Sequence, residues 1–103
     1  MRVLIVEDER RLAEALGQIM AEQRYQTDVV YDGADGLDYA LTEQYDVIVL
    51  DVMLPKLDGF EVASRLRHAH VSTLILMLTA GDLTLELSTR CLRRGGQVGA
   101  AGL

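Results

Sequence analysis

Val47-Ile48-Val49-Leu50-Asp51-Val52-Met53-Leu54-Pro55-Lys56-Leu57-Asp58-Gly59-Phe60 is the stretch that decides the fold. Its first four residues are continuously apolar and three are β-branched, the pattern of a strand buried on both faces in a parallel sheet. The run stops at an acid, Asp51. Pro55 and Asp58-Gly59 then punctuate a loop, and Val62, Leu66 and Ala69 mark a helix, so strand, loop and helix follow as in a βα unit.

The same alternation extends in both directions. Upstream, Val3 to Val6 is an apolar strand ending in Glu7-Asp8-Glu9, and Leu12, Leu16 and Ile19 recur at i, i+4 and i+7 along a helix of Arg10 to Glu22. Thr27 to Tyr31 reads as a second strand, Asp32-Gly33 as a turn or cap, and Ala34, Leu37 and Leu41 as one face of a short helix. Downstream, Leu74 to Leu78 is a fourth strand ending at Thr79-Ala80-Gly81-Asp82. Leu83, Leu87 and Cys91 have helical spacing and predict a helix over Thr84 to Arg94. The nine residues from Gly95 hold four glycines, which argues against a well-formed fifth strand.

Composition bounds what such a chain does. The 103 residues suit one small domain, and 50% of them are apolar, enough for a core. The net charge of −6 argues against direct nucleic-acid binding, which needs a basic surface. All acids lie at or before Glu86. Residues 1–86 carry −9, and the acid-free tail from Leu87 carries +3 through Arg90, Arg93 and Arg94. Cys91 is the one cysteine, which suits a reducing cytoplasm. No apolar stretch has the length of a signal or membrane span.

In an open parallel sheet the loops beyond the strands' carboxyl ends form the functional crevice. Here the first strand ends in Glu7 and Asp8, the third in Asp51 and the fourth in Thr79. If these strands are neighbours, three carboxylates and a hydroxyl converge. Converging carboxylates repel unless a cation lies between them, and a hard divalent ion such as Mg²⁺ takes oxygen ligands of this kind together with a phosphate oxygen. An aspartate beside that ion is a candidate nucleophile toward a phosphoryl group.

Three segments carry a resemblance to a known family: Leu4-Ile5-Val6-Glu7-Asp8-Glu9, Asp51-Val52-Met53-Leu54-Pro55 with Asp58-Gly59-Phe60, and Met77-Leu78-Thr79-Ala80. In order and spacing they resemble the receiver domain of two-component response regulators. The wording from Met53 to Phe60 is most similar to receivers that precede a winged-helix DNA-binding domain, hence a role in transcription regulation. The resemblance covers residues 1–82, the receiver core; 83–103 is a divergent or truncated segment, with no output domain. It implies a doubly wound, flavodoxin-like α/β fold of strand order 2-1-3-4-5, its fifth strand and last helix absent or degenerate. It further implies Asp51 as the residue phosphorylated by a sensor histidine kinase, and Glu7, Asp8, Asp51 and the Met53 carbonyl as Mg²⁺ ligands. Thr79 would be the switch hydroxyl, with Ala80 the small residue beside it.

The likeness breaks at the carboxyl end. The family carries a lysine followed by proline on its fifth strand, with an aromatic shortly before, and the lysine position falls at Ala101-Gly102 here. The chain's one lysine is Lys56, read as a solvated loop charge, its one proline is Pro55, and no aromatic follows Phe60. Losing a charge-assisted contact of this kind costs about 1.5 to 3 kcal/mol, so the acyl phosphate is expected to be weakened and switching impaired. Arg93 or Arg94 is a candidate substitute cation. The composition change after Glu86 reads as a frameshifted, truncated or swapped terminus. Without a fifth strand, Leu74 to Leu78 becomes an apolar sheet edge open to self-association. The rival readings are a pseudo-receiver that binds a partner without phosphate, and an aspartyl-phosphate phosphatase. The phosphatase needs a second aspartate where Met53 stands. The four tyrosines are expected to pack half-buried with wet hydroxyls, and His68 and His70 to lie on the surface.

Overall fold

Burial on both faces explains why β1 (Arg2–Val6) is a continuous apolar run: Val3, Leu4, Ile5 and Val6 are all fully buried. In this computed structural model, which describes residues 1–79 and 82–84, β1 lies between β2 (Gln26–Val30) and β3 (Val47–Asp51), parallel to both. β4 (Leu74–Thr79) extends the parallel sheet beyond β3, giving the order β2-β1-β3-β4 expected for a doubly wound, flavodoxin-like fold.

Side chains alternate across this sheet, so two cores form. Leu4, Val6, Ile48, Leu50, Ile75 and Met77 share one face, where they meet Ala40 of α2 (Gly33–Thr42) and Val62 and Leu66 of α3 (Gly59–His68). Val3, Ile5, Val49 and Leu78 occupy the other face, packed by Leu16 and Met20 of α1 (Arg10–Glu22). Each helix begins on an acidic cap that accepts a backbone N–H three residues on: Glu9 from Leu12, Asp32 from Asp35 and Asp58 from Glu61.

The helical stripes differ from the sequence expectation in detail. In α1 the buried side runs through Ala13, Leu16 and Met20, and Ile19 is half exposed. In α2 it runs through Gly33, Gly36, Leu37 and Ala40, while Ala34 and Leu41 face outward. Small residues draw α2 close to the sheet: a β-carbon at Gly36 would lie 2.7 Å from the Val6 side chain. Tyr45 is buried rather than wet, and its hydroxyl donates to Asp28 at 2.6 Å. Burial and that bond raise its pKa well above the usual phenol range. Tyr39, by contrast, is exposed, as are His68 and His70.

The largest correction lies at the sheet's end. Asp82–Thr84 is a short strand, β5, where a helix was expected from Thr84, and it runs antiparallel to β4 with Thr79 opposite Asp82 and Met77 opposite Thr84. β5 therefore covers the carboxyl half of the β4 edge. Ala80, Cys91, Arg93, Arg94 and the remainder of the expected helix lie outside the described residues. No helix among the described residues is long and apolar enough to cross a membrane.

Candidate functional site

Parallel register places the ends of β1 and β3 side by side. Val6 pairs with Leu50, so the next residues outward are Glu7 and Asp51, and Asp8 follows. One carboxylate oxygen from each of Glu7, Asp8 and Asp51 lies within 4.8 Å of the others. Glu7 is buried, with 3% of its surface exposed, Asp51 is half-buried and Asp8 is open to solvent.

The cluster is held by backbone. The Glu7 carboxylate accepts the Glu9 N–H at 2.8 Å, and its own N–H donates to the Val30 carbonyl. The Asp51 carboxylate accepts the Met53 N–H at 3.1 Å. Burial pushes the Glu7 carboxyl up to about 7, against the Glu9 N–H bond that lowers it, with the Asp51 and Asp8 charges adding to the rise. Close packing sets the loop that follows: the Gly59 N–H donates to the Val52 carbonyl, and a β-carbon at Gly59 would lie 2.2 Å from the Asp51 carbonyl oxygen. Glycine is required there by space.

Met53 is 77% exposed beside Asp51. Thr79 ends β4, one residue beyond Leu78, which is paired with Asp51. Lys56 has a left-handed backbone, φ 70°, and its ammonium lies 3.6 Å from the Asp32 carboxylate on the β2–α2 turn. The Asp35 N–H first, and Lys56 after it, holds the Asp32 carboxyl below its usual range. Sequence reasoning passed over Arg10, whose guanidinium stacks 4.0 Å from the centre of the Tyr31 ring. Neither residue carried a motif, and only strand register brings them together.

The sequence profile of the response regulator receiver domain matches residues 3–98. The chain belongs to this family. It is 46% identical over 86 residues to the transcriptional regulatory protein DltR of Streptococcus agalactiae, covering 84% of this chain and 38% of DltR. It is equally identical over 85 residues to the response regulator ArlR of Staphylococcus aureus, covering 82% of this chain and 38% of ArlR. The receiver thus spans 38% of the length of these curated relatives. Among solved structures, the receiver domain of the Francisella response regulator 1452 superposes with a TM-score of 0.74 at 34% identity, over 77% of this chain and 65% of that one. TrrA of Thermotoga maritima, solved in complex with Mg²⁺ and beryllofluoride, gives 0.72 at 33% identity, over 77% and 69%.

Proposed function

We propose that this receiver accepts a phosphoryl group on Asp51 from the phosphohistidine of a sensor histidine kinase, with Mg²⁺ bound by Glu7, Asp8, Asp51 and the Met53 carbonyl. The observation that carries the reading is the convergence of three carboxylates at the ends of two adjacent parallel strands. The donor set fits the ion: the ligands are hard oxygens, and burial first, with the Asp51 and Asp8 charges after it, raises the Glu7 carboxyl to about 7, a penalty that a cation among the three carboxylates offsets. When bound, Mg²⁺ supplies charge neutralisation for the phosphoryl oxygens.

Asp51 acts as the nucleophile. One carboxylate oxygen forms the new O–P bond as the N–P bond of phosphohistidine breaks, and the electron pair stays on the imidazole nitrogen, which takes up a proton. The Met53 N–H orients the Asp51 carboxylate for that attack. In this reading the chain catalyses at most its own phosphorylation and dephosphorylation, resides in the cytoplasm, and signals within a longer transcription regulator. The family's lysine position falls at Ala101-Gly102 and Lys56 lies beside Asp32, so in this reading the acyl phosphate lacks the family's lysine contact and the switch through Thr79 is weakened.

Incubation with Mg²⁺ and acetyl phosphate, followed by mass spectrometry, tests the assignment. The expected result is one phosphoryl group on Asp51, lost in Asp51→Asn. Multiple turnover of the donor supports the phosphatase instead, and an unlabelled chain supports a pseudo-receiver.

A further inference from the structure

We propose that Arg10, held on the Tyr31 ring, is the cation that captures the incoming phosphoryl group. This rests on the phosphoacceptor role of Asp51. The Arg10 guanidinium lies over the Tyr31 ring at 4.0 Å, and among the described residues it has no carboxylate partner. Its place relative to the carboxylates follows from register. Val6 pairs with Val30, and the Glu7 N–H bonds to the Val30 carbonyl, so Tyr31 stands on β2's end directly beside Glu7.

β1 separates β2 from β3, so the backbone of Tyr31 is two strand spacings, roughly 10 Å, from the Asp51 column. An arginine side chain reaches across much of that distance. Arg10 opens α1 two residues after Asp8 and is exposed, so its guanidinium is free to turn from the ring toward an anion arriving over the cluster. Lys56 is the rival cation on the same rim, and its carboxylate partner Asp32 sets it aside. A planar guanidinium also offers paired N–H donors that match two phosphoryl oxygens, which an ammonium lacks. Stacking on Tyr31 holds the cation on the ring of the residue next to Glu7, with little desolvation to overcome.

The consequence is a contribution to donor capture rather than to the chemical step. Phosphorylation of the full chain by acetyl phosphate with Mg²⁺ reads this as a split. Arg10→Ala is expected to raise the half-saturating donor concentration about fivefold, with the maximal rate changing less than about twofold. Arg10→Lys recovers part of the loss and Tyr31→Phe, which keeps the ring, behaves as wild type. Raising ionic strength from about 0.01 M to about 1 M shortens the screening length from about 30 Å to about 3 Å and erases the difference between Arg10→Ala and wild type. Beryllofluoride affinity in Mg²⁺, followed by thermal shift, weakens in parallel. Equal half-saturation and equal beryllofluoride affinity in wild type and Arg10→Ala overturn the inference while leaving Asp51 as phosphoacceptor. A wild-type chain that neither labels nor binds beryllofluoride overturns the phosphoacceptor reading and this inference with it.

Discussion

Ionising Glu7 in the metal-free receiver strains the fold, and pH is the perturbation that shows it. The side chain is buried at the end of β1, and its pKa rises from 4.5 to about 7. Because the folded state binds this proton more tightly than the unfolded chain, the stabilisation is fully present below pH 4.5 and is lost as pH rises through 7. At 1.36 kcal/mol per pKa unit the full difference is about 3 kcal/mol. Between about pH 5 and pH 8 about 2 to 3 kcal/mol of it is lost. Small domains have about 5 to 15 kcal/mol in total, so the effect is large enough to measure by urea unfolding.

Glu7→Gln isolates this carboxyl from the chain's other titrations, since the amide stays neutral throughout. In chelator, Glu7→Gln should gain on wild type by about 2 to 3 kcal/mol between about pH 5 and pH 8. Saturating Mg²⁺ should offset the loss in wild type and stabilise the variant less, because the ion binds the ionised Glu7 carboxylate in wild type and has only Asp8, Asp51 and the Met53 carbonyl in the variant. Parallel pH profiles for the two proteins in chelator would refute the burial argument. A Mg²⁺ effect of equal size in both would remove Glu7 from the ion's ligands.

Two further substitutions probe the scaffold. Gly59→Ala puts a β-carbon 2.2 Å from the Asp51 carbonyl oxygen, and because the nearest atoms are all backbone of Asp51 and Val52 there is no cheap relief; a loss of about 1 to 3 kcal/mol in urea unfolding is expected, and an unchanged midpoint would show that the Val52–Gly59 loop yields freely. Tyr45→Phe removes the donor to Asp28, which the Arg2 guanidinium also contacts at 3.3 Å. A drop of about 0.5 to 1.5 kcal/mol at unchanged denaturant slope is expected, and no drop would mean that water replaces the hydroxyl fully.

The parts of the fold that could be read from sequence are those buried on both faces. β1 and β3 show as unbroken apolar runs because both their faces are covered, β4 shows as one although Leu74 is partly exposed, and Arg10–Glu22 was legible from a single stripe. The residues of closest contact were not, because Ala13, Gly33, Gly36 and Ala40 are buried by being small and carry little hydrophobic signal. Helix ends were hidden for a related reason. Arg24 and His70 take the left-handed positions that end α1 and α3, at φ 66° and 63°, where glycine usually announces such a stop. The bonds Tyr25 N–H to Met20 carbonyl and Val71 N–H to Leu66 carbonyl close both ends. The carboxylate cluster was legible because strand ends in a parallel sheet share one pole, whereas the stack of Arg10 on Tyr31 depends on which strands are neighbours. The strand β5 escaped notice because three residues are too few for any period to show.

The charge at that pole explains why a rim cation matters. With all three carboxylates ionised, a divalent ion leaves the cluster with one net negative charge, and an incoming dianionic phosphoryl group would raise the local negative charge further. Approach is then opposed unless a second positive group faces the donor. β4's outer edge is followed by the short antiparallel β5, and the one lysine of the chain is directed to Asp32 on the β2–α2 turn. Beside the β2–α2 turn, the described residues set Lys56, largely exposed and 3.6 Å from the Asp32 carboxylate, and Arg10, resting on a ring. An ion pair must be broken before Lys56 can serve the phosphoryl group. Releasing Lys56 from Asp32 or Arg10 from the Tyr31 ring costs about 1 kcal/mol or less at such exposed sites, so in the proposed capture it is the paired donors of the guanidinium, not ease of release, that favour Arg10.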